Sequence, residues 1–170
     1  AWATEEVTAL AKEGVITGDG TGNFDGNKEL TREEFVTMLV KAAGVYDPVA
    51  VSYHFDDIKE GDWFYPAVST AFNGKLVFGV EEHRFGIGEK LTRQDLATLA
   101  YRAAQNLPEY TRDKKAFTDD KSISDYAKEA VYELYTRGII NGMGDNEFQP
   151  MGYATKAQGA QILYGLFYKN

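Results

Sequence analysis

An aromatic residue and a threonine stand 29 positions apart three times: Trp2 and Thr31, Trp63 and Thr92, Tyr126 and Thr155. Between them Gly18, Gly79 and Gly142 each fall 16 positions after the aromatic, and Phe24, Phe85 and Phe148 each fall 22 after it. Val7, Val68 and Val131 also share one register. The aromatics are 61 and 63 residues apart, so length varies only in the connectors. A fixed internal period of this kind signals one structural unit used three times.

Each unit reads as two helices. The first spans about 4–13, 66–73 and 125–137; in the first and third copies its apolar residues recur at helical spacing. Thr4 and Ser124 suit N-caps, and Pro66 a first turn. Gly14 and Gly138 end the helix, with Asn73-Gly74 one place earlier in the second copy. A short apolar run, the landmark glycine and a polar loop with its Phe follow. Thr31-Arg32-Glu33-Glu34, Thr92-Arg93-Gln94-Asp95 and Thr155-Lys156-Ala157-Gln158 then open second helices over about 32–43, 93–105 and 156–168. Thr followed three residues later by Glu or Gln is a capping box, strict in two copies and looser with Asp95.

Arg32, Arg93 and Lys156 breach a rule, because a helix N-terminus favours negative charge. Three cations at one register point to a bound anion beside free N–H donors. On that reading, removing the charge leaves the fold intact or slightly steadier.

The 44% hydrophobic and 14% aromatic content suits a folded chain. A pair of helices buries little alone, so the three units are expected to share one core in an all-α, pseudo-threefold assembly. The expected division is 1–44, 55–105 and 117–170 for the repeats, with 45–54 and 106–116 as connectors holding short helical turns. A net charge of −8 argues against nucleic acid and anionic membranes as partners. No apolar run is long enough to span a membrane. The start at Ala1-Trp2, without a signal-peptide pattern, is expected of a processed or excised segment. The absence of cysteine excludes disulfides and thiolate chemistry.

Phe55-Asp56-Asp57 and Phe117-Thr118-Asp119 lead into the second and third units. Together with Trp2-Ala3, Tyr126-Ala127, Gly14-Val15-Ile16-Thr17-Gly18, Gly138-Ile139-Ile140-Asn141-Gly142 and the Thr-Arg-Glu-like boxes, these leads resemble the S-layer homology (SLH) domain family. The resemblance covers essentially the whole chain as a triplet of units. It implies a spindle-like bundle whose inter-repeat grooves bind secondary cell wall polymer, often a pyruvylated glycan linked to peptidoglycan. It thereby implies a secreted module that anchors a protein at the bacterial cell surface or S-layer. The family's basic residue maps onto Arg32, Arg93 and Lys156, its Trp onto Trp2 and Trp63, with Tyr126 in its place in the third copy, and its acid onto Asp62 and Asp125. Ala1, Tyr126 and Lys75 depart from the pattern, and Val80–Ile87 lacks its Asp-Gly loop; these departures predict unequal grooves.

The chemistry agrees with that implication. Arg can hold a ketal-linked pyruvate carboxylate bidentately, and an aromatic face covers the apolar face of a sugar. Core or inter-repeat packing is the other role open to Trp2, Trp63 and Tyr126. The landmark glycines suit special backbone geometry or close ligand approach.

No cofactor, metal or catalytic group is expected. The acidic stretch 18–25 fails as an EF-hand because Phe24 stands where the loop needs Gly. His54 and His83 occupy unrelated repeat positions, and no catalytic motif appears. A protein–protein module for surface lattice assembly is the alternative to glycan binding.

Overall fold

The computed structural model describes residues 4–17 and 24–169. Trp2 and Gly18 lie outside them. Among the described residues the chain is all-helical: α1 (Thr4–Lys12), α2 (Arg32–Ala42), α3 (Tyr65–Asn73), α4 (Arg93–Ala103), α5 (Asp125–Thr136) and α6 (Lys156–Phe167). A single 3-10 turn (Asp120–Ser122) sits ahead of α5 rather than in a connector. The connectors contain turns but no helix. None of the helices is long and apolar enough to cross a membrane.

The threonines cap as their spacing predicts. Thr31 and Thr155 complete reciprocal capping boxes with Glu34 and Gln158. Thr92 accepts from the Asp95 N–H at 3.3 Å, but the Asp95 carboxylate turns elsewhere. Thr31→Ala or Thr155→Ala is expected to cost about 0.5–2 kcal/mol in chemical denaturation. Ser124 stands at the N-cap of α5 without a side-chain cap; its hydroxyl instead accepts from Gln94. Thr4 is already helical, so it is not the cap of α1.

The three capped helices meet at a pseudo-threefold axis. The residue before each cap is extended and wholly buried, and a buried N–H or carbonyl must find a partner. Here the three residues satisfy one another in a ring: Leu30 N–H donates to Ala154 O (2.9 Å), Ala154 N–H to Leu91 O (2.8 Å), and Leu91 N–H to Leu30 O (2.9 Å). Four residues past each threonine come Phe35, Leu96 and Gly159, large, medium and absent. A Cβ on Gly159 would lie 2.7 Å from Leu30 Cδ1 and 3.4 Å from Phe35 Cδ1. One large ring therefore fills space that strict symmetry would have divided.

Around this inner ring the first helices pack on the second helices of the preceding repeat. α3 lies on α2, α5 on α4, and α1 closes the circle on α6. The core runs unbroken through all three repeats, from Leu10 through Phe35, Val68 and Leu96 to Val131 and Leu163.

The Phe-x-Asp leads tie down the loops. Asp57 accepts N–H bonds from Phe85, Gly86 and Ile87 (2.9, 2.9 and 3.1 Å), and Asp119 from Phe148 and Gln149 (2.9 and 2.8 Å). Burial alone would raise the Asp57 pKa, but the N–H donors outweigh it and hold the carboxyl below its usual value. Phe55 and Phe117 press on the landmark glycines. A Cβ on Gly79 (φ +78°) would fall 2.6 Å from Phe55 Cε1 and 2.7 Å from Arg84 O; on Gly142, 2.9 Å from Glu147 O and 3.0 Å from Phe117 Cε1. Gly79→Ala thus combines a left-handed backbone with a clash. The expected loss is about 2–4 kcal/mol, read as a lower denaturation midpoint.

Candidate functional site

The basic position does something the sequence reading did not foresee. Arg32 of the first repeat reaches into the second, where its Nε donates to Phe85 O at 3.0 Å and its guanidinium lies 5.0 Å over the Phe85 ring. Arg93 reaches into the third, donating to Phe148 O (2.9 Å) and Asn141 O (2.7 Å) with the Phe148 ring at 4.6 Å. The Lys156 ammonium closes the cycle 5.1 Å over the Phe24 ring. Arg32 and Arg93 are 8% and 3% exposed, so they staple neighbouring repeats. Burial pulls the Arg93 pKa down to about 10, with Asp119 opposing, and the group stays charged at neutral pH.

Most of the helix N–H groups expected to meet an anion are already occupied. Those of Arg32, Arg93 and Lys156 donate to Glu89 O, Gly152 O and Lys28 O, at 3.0, 2.8 and 2.8 Å. Gln94 and Ala157 N–H donate to Pro150 O and Gly26 O, both at 3.0 Å. At α4 and α6 an anion must therefore be held by side chains.

Two grooves follow one pattern: the basic residue of one repeat, then the glycine turn and second helix of the next. The first, of about 470 Å³, is lined by Arg32, then Phe78 to Val80, then Asp95, Thr98 and Arg102 of α4; Tyr126 of the third repeat forms another wall. The second, of about 360 Å³, has Arg93, then Asn141 to Met143, then Gln158 and Gln161 of α6. Trp63 and Tyr126 are 63% and 57% exposed, which rules out a core role for either. The Tyr126 hydroxyl donates to Asp95 at 2.5 Å and accepts from Gln94 at 3.1 Å. Burial, then the bond to Asp95, pushes its pKa up to about 12. Together these surfaces offer a cation, an aromatic face and hydrogen-bonding groups within one open groove.

The S-layer homology domain model matches residues 1–36, 54–97 and 116–160. The chain belongs to the S-layer homology domain family. SLH domains are cell-wall anchoring modules of S-layer proteins and surface enzymes. The chain is 34% identical to Exoglucanase XynX of Acetivibrio thermocellus over 99% of its own length and 16% of that protein. It is 33% identical to Amylopullulanase of Thermoanaerobacterium thermosulfurigenes over 99% of its length and 9% of the relative. With the Surface-layer 125 kDa protein of Lysinibacillus sphaericus it shares 29% identity over 85% of its length and 12% of the relative. The chain thus spans under a fifth of each of these relatives, and the part shared with the named enzymes is this SLH module.

The SLH motif residues separate into distinct positions. Gly79 and Gly142 shape the turns of the two grooves. Asp62 accepts from Lys59 N–H at 3.0 Å and so holds the turn before α3; Asp125 is exposed in the first turn of α5. Neither lines the two grooves. Trp63 precedes α3, which packs on α2, and it lines neither of the two grooves. Arg93 and Trp63, which share a repeat, are therefore not brought together in the Arg93 groove.

Two features escaped the sequence. Arg102 and Asp95 line the first groove, although only Asp95 belongs to a repeated box. Extending the register ten residues past each threonine would have found Lys41, Arg102 and Gly165. His54 and His83 are neighbours after all, with ring centroids 4.9 Å apart and His83 Nδ1 3.0 Å from His54 O; His54 stacks on Phe72 at 4.3 Å. Among the described residues no group of three or more His, Cys, Asp or Glu could hold a metal ion.

Proposed function

We propose that this module anchors its parent protein non-covalently to the cell wall of a bacterium by binding secondary cell wall polymer in the inter-repeat grooves. The polymer is an anionic, pyruvylated glycan, and the protein works as a secreted component of the cell surface. One observation carries the reading: Arg32 is almost fully buried, yet beyond its Nε bond its terminal nitrogens have no hydrogen-bond partner among the described residues, and they face a groove walled by exposed Tyr126. A guanidinium fork held in place by packing is suited to a carboxylate. The tyrosine ring suits the apolar face of a sugar beside it. Gly79 shapes the turn of this groove; Arg93, Lys156, Trp2, Trp63 and Gly142 take corresponding parts in the other grooves, with Gly18 at the third turn and Asp62 and Asp125 supporting the aromatics from outside.

Sedimentation with protein-free wall sacculi tests this. The module is expected to pellet with intact sacculi and to stay in the supernatant once mild acid has removed the pyruvate ketals. Equal retention by both would overturn the anionic ligand. No retention by either would favour a protein partner in a surface lattice.

A further inference from the structure

Ten residues beyond each capping threonine, the second helices carry Lys41, Arg102 and Gly165. Only the middle one lines a described groove as a cation. Arg102 stands on the wall of α4 that faces the groove of Arg32, so two guanidinium groups from different repeats border one opening. The Arg93 groove has no counterpart: its α6 wall shows the neutral amides of Gln158 and Gln161.

Arg102 is exposed and weakly committed. Its guanidinium lies 4.8 Å over the Phe78 ring, and a single long bond of 3.4 Å runs to Leu76 O. A guanidinium has five N–H donors, so most remain free. No carboxylate among the described residues lies within ion-pairing distance, whereas Arg84 and Arg137 both pair with glutamates. The nearby acid, Asp95, is engaged by the Tyr126 hydroxyl. In a chain of net charge −8, two unpaired guanidiniums bordering one groove are an unusual expense. Burial chiefly lowers the Arg32 pKa; Asp95, Glu89 and Tyr126 pull it back up, and repulsion from Arg102 is the smallest contribution, lowering it. An anion between them would relieve both penalties.

We propose that Arg102 is the specificity-determining residue of the Arg32 groove, giving its preference for a carboxylate-bearing sugar over the neutral sugar of the same shape. Arg32, fixed by Phe85, presents the first cation. Arg102, resting on Phe78, supplies the second and closes over the carboxylate from the α4 side. The inference rests on the glycan-binding reading above and deepens it.

The test uses a hexosamine methyl glycoside bearing a pyruvate ketal, and the same glycoside with the carboxylate converted to its methyl ester. Calorimetry compares wild type, Arg102→Gln and Arg102→Lys. Wild type is expected to prefer the free acid. Arg102→Gln is expected to reduce that preference roughly tenfold, the loss of one charge-assisted hydrogen bond, with the acid losing more affinity than the ester. Arg102→Lys retains part of the preference, since ammonium keeps the charge without the fork. If Arg102→Gln keeps the full wild-type preference, the role of Arg102 is overturned while glycan binding stands. If wild type binds acid and ester equally, or neither, the anionic-ligand reading and this one fall together.

Discussion

Cutting the chain after residue 105 is expected to abolish the cooperative melt, not to leave two-thirds of a stable protein. The cut removes α5 and α6, the packing partners of α4 and α1. It also opens the axial ring: Leu30 N–H loses Ala154 O, and Leu91 O loses Ala154 N–H. Arg93 is left without the Phe148 and Asn141 carbonyls that hold its buried guanidinium. Of the three contacts between a first helix and the preceding second helix, only α3 on α2 survives, and of the axial contacts only α2 with α4. Calorimetry of residues 1–105 should show a broad transition or none. A sharp melt near that of the whole chain would mean that the repeats are stable without closing the circle.

Arg93→Ala should be among the most destabilising single substitutions in the chain. The side chain is 3% exposed; its removal strands the buried Phe148 O, takes a donor from Asn141 O at the groove edge and deletes the packing on the Phe148 ring. The unsatisfied buried carbonyl costs about 1–3 kcal/mol and the lost side-chain packing adds to it, so a loss of about 2–5 kcal/mol is expected. Arg32→Ala should cost less, because the Arg32 guanidinium bonds a single carbonyl. Urea denaturation with an unchanged m-value would register both shifts. An unchanged midpoint for Arg93→Ala would return the basic position to the role first read from the sequence, a ligand-binding charge that the fold does not use.

That reversal shows what the sequence could and could not convey. Helix positions were legible because threonine caps and apolar spacing are local signals, and α2, α4 and α6 begin where the boxes place them. The shared core was legible from the short length of each unit. Partner choice was not. Periodicity shows that α5 has an apolar face but not that this face lies on α4 of the preceding repeat. A cation beside a helix N-terminus looked like half of an anion site, because sequence cannot show that Gly152 O and Pro150 O already cover the N–H groups of α4. The same blindness coupled Arg93 to Trp63, since matching residues within one repeat cannot reveal grooves built from two or three. Lys75 is a simpler case. It adopts φ 61°, the left-handed conformation that Gly14 and Gly138 use at the same register, so the turn survives the substitution.

The central claim is that ligand binds where Arg32, the Gly79 turn and Tyr126 converge. NMR titration of the whole module with the pyruvylated glycoside addresses it directly, residue by residue. Shifts are expected to concentrate at Gly79, Val80, Asp95, Thr98 and Tyr126, with the Arg32 and Arg102 side-chain signals moving alongside them. The larger cleft of about 850 Å³ between residues 110–116 and α5, whose lysines and arginine face Asp113, Asp120, Glu129 and Glu133, should stay silent. Shifts confined to that cleft, at Tyr110, Arg112 and Glu133, would contradict the account.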